Sequence, residues 1–177
     1  MRIGAAVLGF LALVAPARAA GGAAELAGRA TLGADERPVT LRLACDPEGY
    51  GLSATLTVPR FAELSPAFDF DALEGPTGST KPLAAIRVSG AGGVRGVTAA
   101  ASGAVAVDPA TSFTLTVSGA RRGEDPLRGL GPGLTEAGAR ITWTQSSPRR
   151  SDATLAAAFP VTDPAALRSA LAPCLPR

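Results

Sequence analysis

Pro38-Val39-Thr40-Leu41-Arg42-Leu43-Ala44-Cys45, then Asp46-Pro47-Glu48-Gly49, then Leu52-Ser53-Ala54-Thr55-Leu56-Thr57-Val58: this stretch decides the fold class. In the first arm Val39, Leu41, Leu43 and Cys45 fall on one face and Thr40 and Arg42 on the other. The second arm repeats the alternation, with Leu52, Ala54, Leu56 and Val58 against Ser53, Thr55 and Thr57. A period of two marks a strand with one buried side. Asp46, Pro47 and Gly49 occupy the first, second and fourth places of a type I turn. The whole stretch therefore predicts an antiparallel hairpin.

Similar alternation extends outward from the hairpin. Phe68 and Phe70 share a face opposite Asp69 and Asp71; Ala84, Ile86 and Val88 alternate with Arg87 and Ser89. Val94 to Val107 has room for one long strand or for two divided at Gly103. Phe113, Leu115 and Val117 alternate with Thr114 and Thr116, and Ile141, Trp143 and Gln145 oppose Thr142 and Thr144. Leu155, Ala157, Phe159 and Val161 give a last strand. About eight short strands with Gly, Pro, Asp and Ser at their junctions predict a mostly β chain, an antiparallel β-sandwich or a barrel-like domain. One short C-terminal helix follows. Asp163 supplies an N-cap and Pro164 the first helical position, and Leu167, Leu171 and Cys174 recur on one face.

The ends of the chain set its organisation. Arg2, the apolar run Ile3 to Val14, Pro16 and the Ala17-Arg18-Ala19 site predict a secretory signal peptide over 1–19. The run is shorter than the ~20 residues a membrane span needs, so no stable anchor is expected after cleavage. Residues 20–37, rich in Ala and Gly, are expected to form a flexible or weakly ordered arm, or at most a weak first strand. Residues 38–177 are expected to form a single β domain closed by the helix. Export implies the periplasm of a Gram-negative bacterium, with the extracellular space as the alternative.

Composition narrows the chemistry. Of 177 residues 46% are hydrophobic, enough for one core, and only 18% are charged. Gly (21) and Pro (15) make up about a fifth of the chain, which favours turns over long helices. There is no histidine, so Ser-His-Asp and Cys-His catalysis and His metal ligation are excluded. The 17 basic residues exceed the 15 acidic ones only through Arg2 and Arg18 in the signal segment. The chain beyond residue 19 is neutral, which argues against a nucleic-acid partner. Cys45 and Cys174 are the two cysteines. In an oxidising compartment they are expected to form one structural disulfide.

Three further features are candidates for function. Asp69, Asp71 and Glu74 are three carboxylates within six residues, the residue types of acid–base hydrolysis or of a Ca²⁺ site; a polar outer face explains them equally. Arg121, Arg122 and Arg128 lie in a long Gly/Pro-rich segment, 119–138, and suit recognition of a carboxylate or phosphate. The threonines Thr55, Thr57, Thr114, Thr116, Thr142 and Thr144 predict flat polar sheet faces, a property β-propensity alone accounts for. Residues 74–81 resemble a phosphate loop only in composition: Gly78 is not adjacent to Lys81, and Pro82 follows the lysine. Lys81 is the only lysine and has Gly78 three places before it, so there is no Ser-x-x-Lys nucleophile. No cofactor is implied. The reading that results is an exported, non-catalytic binding module. Its partner would be another envelope protein or an exported ligand, docked through the long segment or a Thr-rich face. The alternatives are a small envelope hydrolase using Asp69, Asp71 or Glu74, and an accessory subunit of an envelope complex.

Overall fold

The computed structural model describes residues 22–49, 51–75, 80–107, 111–119, 121–150 and 152–176. The expected signal segment 1–19 lies outside them. Nine strands form one sheet: β1 (Ala23–Leu32), β2 (Asp35–Asp46), β3 (Gly51–Pro59), β4 (Ala84–Gly90), β5 (Gly93–Ala99), β6 (Ser102–Val105), β7 (Ser112–Val117), β8 (Arg140–Ser146) and β9 (Thr154–Pro160). Their order is β5-β4-β8-β9-β1-β2-β3-β7-β6, every pair antiparallel, in a curled half-barrel. Of the two expected arrangements this is the barrel-like one. β5 and β6 are the opposite edges of the sheet, yet only Ala100 and Ala101 separate them. Three Cα steps reach at most about 11 Å, so the sheet has to curl until the two edges meet at that corner.

The hairpin pairs as its alternation requires. Leu41 faces Leu56, Leu43 faces Ala54 and Cys45 faces Leu52, and the Gly49 amide donates to the Asp46 carbonyl across the turn. Residues 23–32 depart from expectation: they are not a weakly ordered arm but a ten-residue strand in the middle of the sheet. Leu26, Ala30 and Leu32 face the core, while Gly28 leaves the fourth inward place empty. A Cβ there would overlap the Phe159 ring and the Ala158 carbonyl, so only glycine lets the ring lie against β1. That missing side chain is what breaks the sequence pattern.

Residues 68–71 are a second correction. They belong to turns and a short 3₁₀ segment (Asp71–Leu73), not to a strand. Phe68 and Phe70 are both fully buried, their ring centroids 4.7 Å apart, and Phe70 stacks edge-on to Phe113 at 5.0 Å. The β3–β4 connection is thus an inner cover for the half-barrel. Its start is fixed by Arg37, 6% exposed, whose guanidinium donates to the carbonyls of Pro59 (3.2 Å) and Arg60 (3.0 Å) and lies 3.6 Å from the Glu63 carboxylate. These contacts hold Arg60 in the left-handed region, φ 49°. The stretch Val94 to Val107 forms two strands, divided at Ala100-Ala101 instead of Gly103.

Two more covers complete the interior. The β7–β8 connection carries a 3₁₀ turn (Arg128–Leu130) and a one-turn helix, α1 (Gly131–Leu134), and buries Leu127, Leu130 and Leu134. It packs on β4 and β5, while the Asp71–Leu73 turn packs on β6. Both sides of the open seam are therefore filled by irregular segments. The C-terminal helix α2 (Pro164–Leu171) lies over β1 and β2 with Leu167 and Leu171 buried, and the Asp163 carboxylate caps it through the Ala166 amide at 2.8 Å. Cys45 and Cys174 are joined by a disulfide with a Cα–Cα distance of 5.8 Å. No helix among the described residues is long and apolar enough to cross a membrane.

Candidate functional site

The carboxylates do not gather. Asp69 is largely buried, accepting from the Ser147 hydroxyl at 2.9 Å with the Arg150 guanidinium 3.7 Å away. Arg150 also donates to the Pro66 carbonyl. Asp69 therefore ties the β3–β4 cover to the β8–β9 turn. Asp71 and Glu74 are exposed, and Glu74 bridges to Gly103 on the edge of β6. Among the described residues no group of three carboxylates, cysteines or histidines is placed to hold a metal ion.

The arginines of the long segment are separated as well. Arg122 donates to the Glu48 carbonyl at 2.7 Å, and the Gly123 amide donates to the Gly49 carbonyl at 2.9 Å. Both bonds fasten the segment to the β2–β3 turn. Arg121 and Arg128 are exposed. The leucines between and beyond them are core residues, so the segment is anchored at its tip and along its length.

The threonines fall into two groups on the outer face of the sheet. Thr55 and Thr57 sit opposite Thr116 and Thr114 on β3 and β7, with the Thr55 and Thr116 hydroxyls 3.1 Å apart. Thr142 and Thr144 lie on β8, three strands away from β2. Beside them the sheet opens into a hollow of about 810 Å³. Its cause is local. The β1–β9 ladder holds only four pairs, Arg29–Leu32 against Leu155–Ala158, and beyond Arg29 and Ala158 the strands separate. The outward positions around that end of the ladder are small: Ala27 beyond it on β1, and Ala156 and Ala158 within it on β9. Thr142, Thr144, Arg140 and Pro160 form one wall and Thr31, with the ion-paired Arg29 and Glu36, the other. A second hollow of about 340 Å³, walled by Pro38, Thr40, Thr57 and Pro59, adjoins it at Ala27 and Gly28.

Sequence reading named Thr142 and Thr144 but not the alanines. The signal for them was present in Thr154 to Pro160, where the outward places of a strand are filled by Ala156 and Ala158 instead of β-branched residues. No protein-family model matches the chain, and no curated protein and no solved structure is significantly similar to it.

Proposed function

We propose that this chain is an exported binding module, working in the periplasm, that receives its partner in the hollow on the outer face of β8, β9 and β1. The partner is another envelope protein or an exported ligand. One observation carries the reading: a space of about 810 Å³ walled by outward alanines and threonines, on a face that nothing among the described residues covers. Ligand sites are concave and mostly apolar, with a few polar groups that fix orientation; here Arg140, Arg29, Glu36 and the threonine hydroxyls are those groups. Export is supported by the Arg2, Ile3–Val14 and Ala17-Arg18-Ala19 sequence features and by the disulfide. A non-catalytic role is supported by the absence of histidine and by the Asp69 carboxylate, held in structural contacts.

The test is a blocked hollow. Wild-type protein and an Ala158→Phe variant, both disulfide-bonded, are incubated in envelope extract. Bound species are recovered by native mass spectrometry and by crosslinking. The expected result is one species retained by the wild type and lost from Ala158→Phe. An identical set of species on both proteins, or none on either, overturns the proposal.

A further inference from the structure

We infer that the partner reaches the hollow as an extended polypeptide segment carrying a basic side chain, added as an antiparallel strand to the open half of β1; this rests on the reading of the hollow as the binding site. Backbone geometry carries the argument. The Cys45 amide donates to the Gly22 carbonyl at 2.8 Å, one step beyond the Ala23–Ala44 pair. Residues of an antiparallel ladder alternate between those bonded to the neighbour and those whose groups point away from it. Ala24, Leu26 and Gly28 therefore turn N–H and C=O to β2, and Ala23, Glu25 and Ala27 turn theirs to the other side.

On that side β9 pairs only with Arg29–Leu32. The same register carried on would set Ala27 against Pro160, which has no N–H to give. The next residue, Val161, donates to the Ala139 carbonyl instead, and the chain then enters α2. α2 lies against the inward side of β1, where a Cβ on Gly22 would meet the Ala170 carbonyl. Among the described residues no backbone hydrogen bond reaches Ala23, Glu25 or Ala27 on the side away from β2, and all three residues are exposed. Three amides and three carbonyls at intervals of about 6.8 Å make an open sheet edge. The ligand that matches such a row is another extended chain.

Charge and position specify that chain. Glu25, in the middle of the open stretch, carries its one outward charge and stands opposite Arg42 on β2. Across strands, like charges directly opposite are destabilising and unlike charges favourable. A second copy of this chain, paired antiparallel about the same residue, would set Glu25 against Glu25; a Lys or Arg in that place is complementary. Of the neighbouring charges, Arg29 pairs with Glu36 and Asp163 caps α2. The added strand runs in the direction of β9 and takes up its line, so the partner residues that precede it lie over the hollow at Ala27 and Pro160.

The experiment uses the end-blocked heptapeptide Val-Thr-Val-Lys-Val-Thr-Val and its Lys→Glu counterpart, titrated to millimolar concentration into the ¹⁵N-labelled, disulfide-bonded protein. Amide chemical shifts and hydrogen exchange are the readouts. In the free protein the amides of Ala23, Glu25 and Ala27 should exchange at least about tenfold faster than those of Ala24, Leu26 and Gly28; equal protection overturns the open edge and the proposal with it. The Lys peptide should protect the three open amides and bind about fivefold more tightly than the Glu peptide, a preference that Glu25→Lys reverses. N-methylation of its second, fourth and sixth residues, whose amides face β1, should weaken binding at least about tenfold, and N-methylation of its third, fifth and seventh less than about twofold. Equal affinity of the Lys and Glu peptides overturns the basic side chain. Equal loss from the two methylation patterns, or no protection at 23–27 with any peptide, overturns strand addition. The Ala158→Phe comparison decides the hollow separately.

Discussion

The β7–β8 connection and the outer face of β9 exchange the roles their sequences suggest. The first reads as a long polar loop with three arginines, the form of a recognition surface. It folds inward instead, burying Leu127, Leu130 and Leu134, while Arg122 pins its tip to the β2–β3 turn. The second reads as the bland back of a strand, yet its alanines open the hollow. The difference teaches that a segment without periodicity still becomes core when a curled sheet has a seam to fill. A site, conversely, is made by side chains that are missing.

Breaking the first half of this contrast should have the largest effect. Deleting residues 123–133 removes Leu127 and Leu130 from the interior, and a loss of more than about 5 kcal/mol is expected, comparable with the whole stability of a small domain. A circular dichroism melt should then lack a cooperative transition. A cooperative, near-wild-type melt would show that the segment is a dispensable loop. The disulfide is next. Its partners are 129 residues apart, and Cys45→Ser with Cys174→Ser should lower stability by roughly 4–5 kcal/mol on the chain-entropy account, read as an earlier urea midpoint.

A paired substitution sharpens the comparison within the segment itself. Leu130→Ala should cost about 2–5 kcal/mol, whereas the exposed neighbour change Arg121→Ala should stay within about 0.5 kcal/mol. Equal effects in urea unfolding would erase the distinction between anchored leucines and solvated arginines. The smallest effects test the two sides of the sheet at one place. Gly28→Ala adds a single carbon on the inner side, against Phe159, and should cost about 1–3 kcal/mol. Ala158→Phe adds six carbons on the outer side and should change stability by no more than about 0.5 kcal/mol. Thermal shifts in the opposite order would mean that the hollow is closed in solution.

Legibility followed side-chain amplitude. The β2–β3 hairpin was readable because large apolar residues alternate with threonine and arginine without a gap, and β7 and β8 for the same reason. β1 was obscured at Gly28, where the inward place is empty so that Phe159 fits. Phe68 and Phe70 alternate with Asp69 and Asp71 just as a strand does. Their rings instead enter the core from a turn, and Asp69 is held by Ser147 and Arg150 from across the molecule. Of the site, the threonines of β8 were visible, but their neighbours were not.

The sequence by itself determined that the chain is β-rich, that a helix capped by Asp163 follows, that histidine chemistry is absent and that Cys45 has only Cys174 to pair with inside the chain. Each of these depends on local spacing or on counting. Only the tertiary structure decided that nine strands make one curled sheet, that two irregular connections serve as its core, and that the β1–β9 ladder stops after four pairs beside outward alanines. Those outcomes depend on contacts between residues far apart in the chain, and shape complementarity across such distances leaves no period in the sequence.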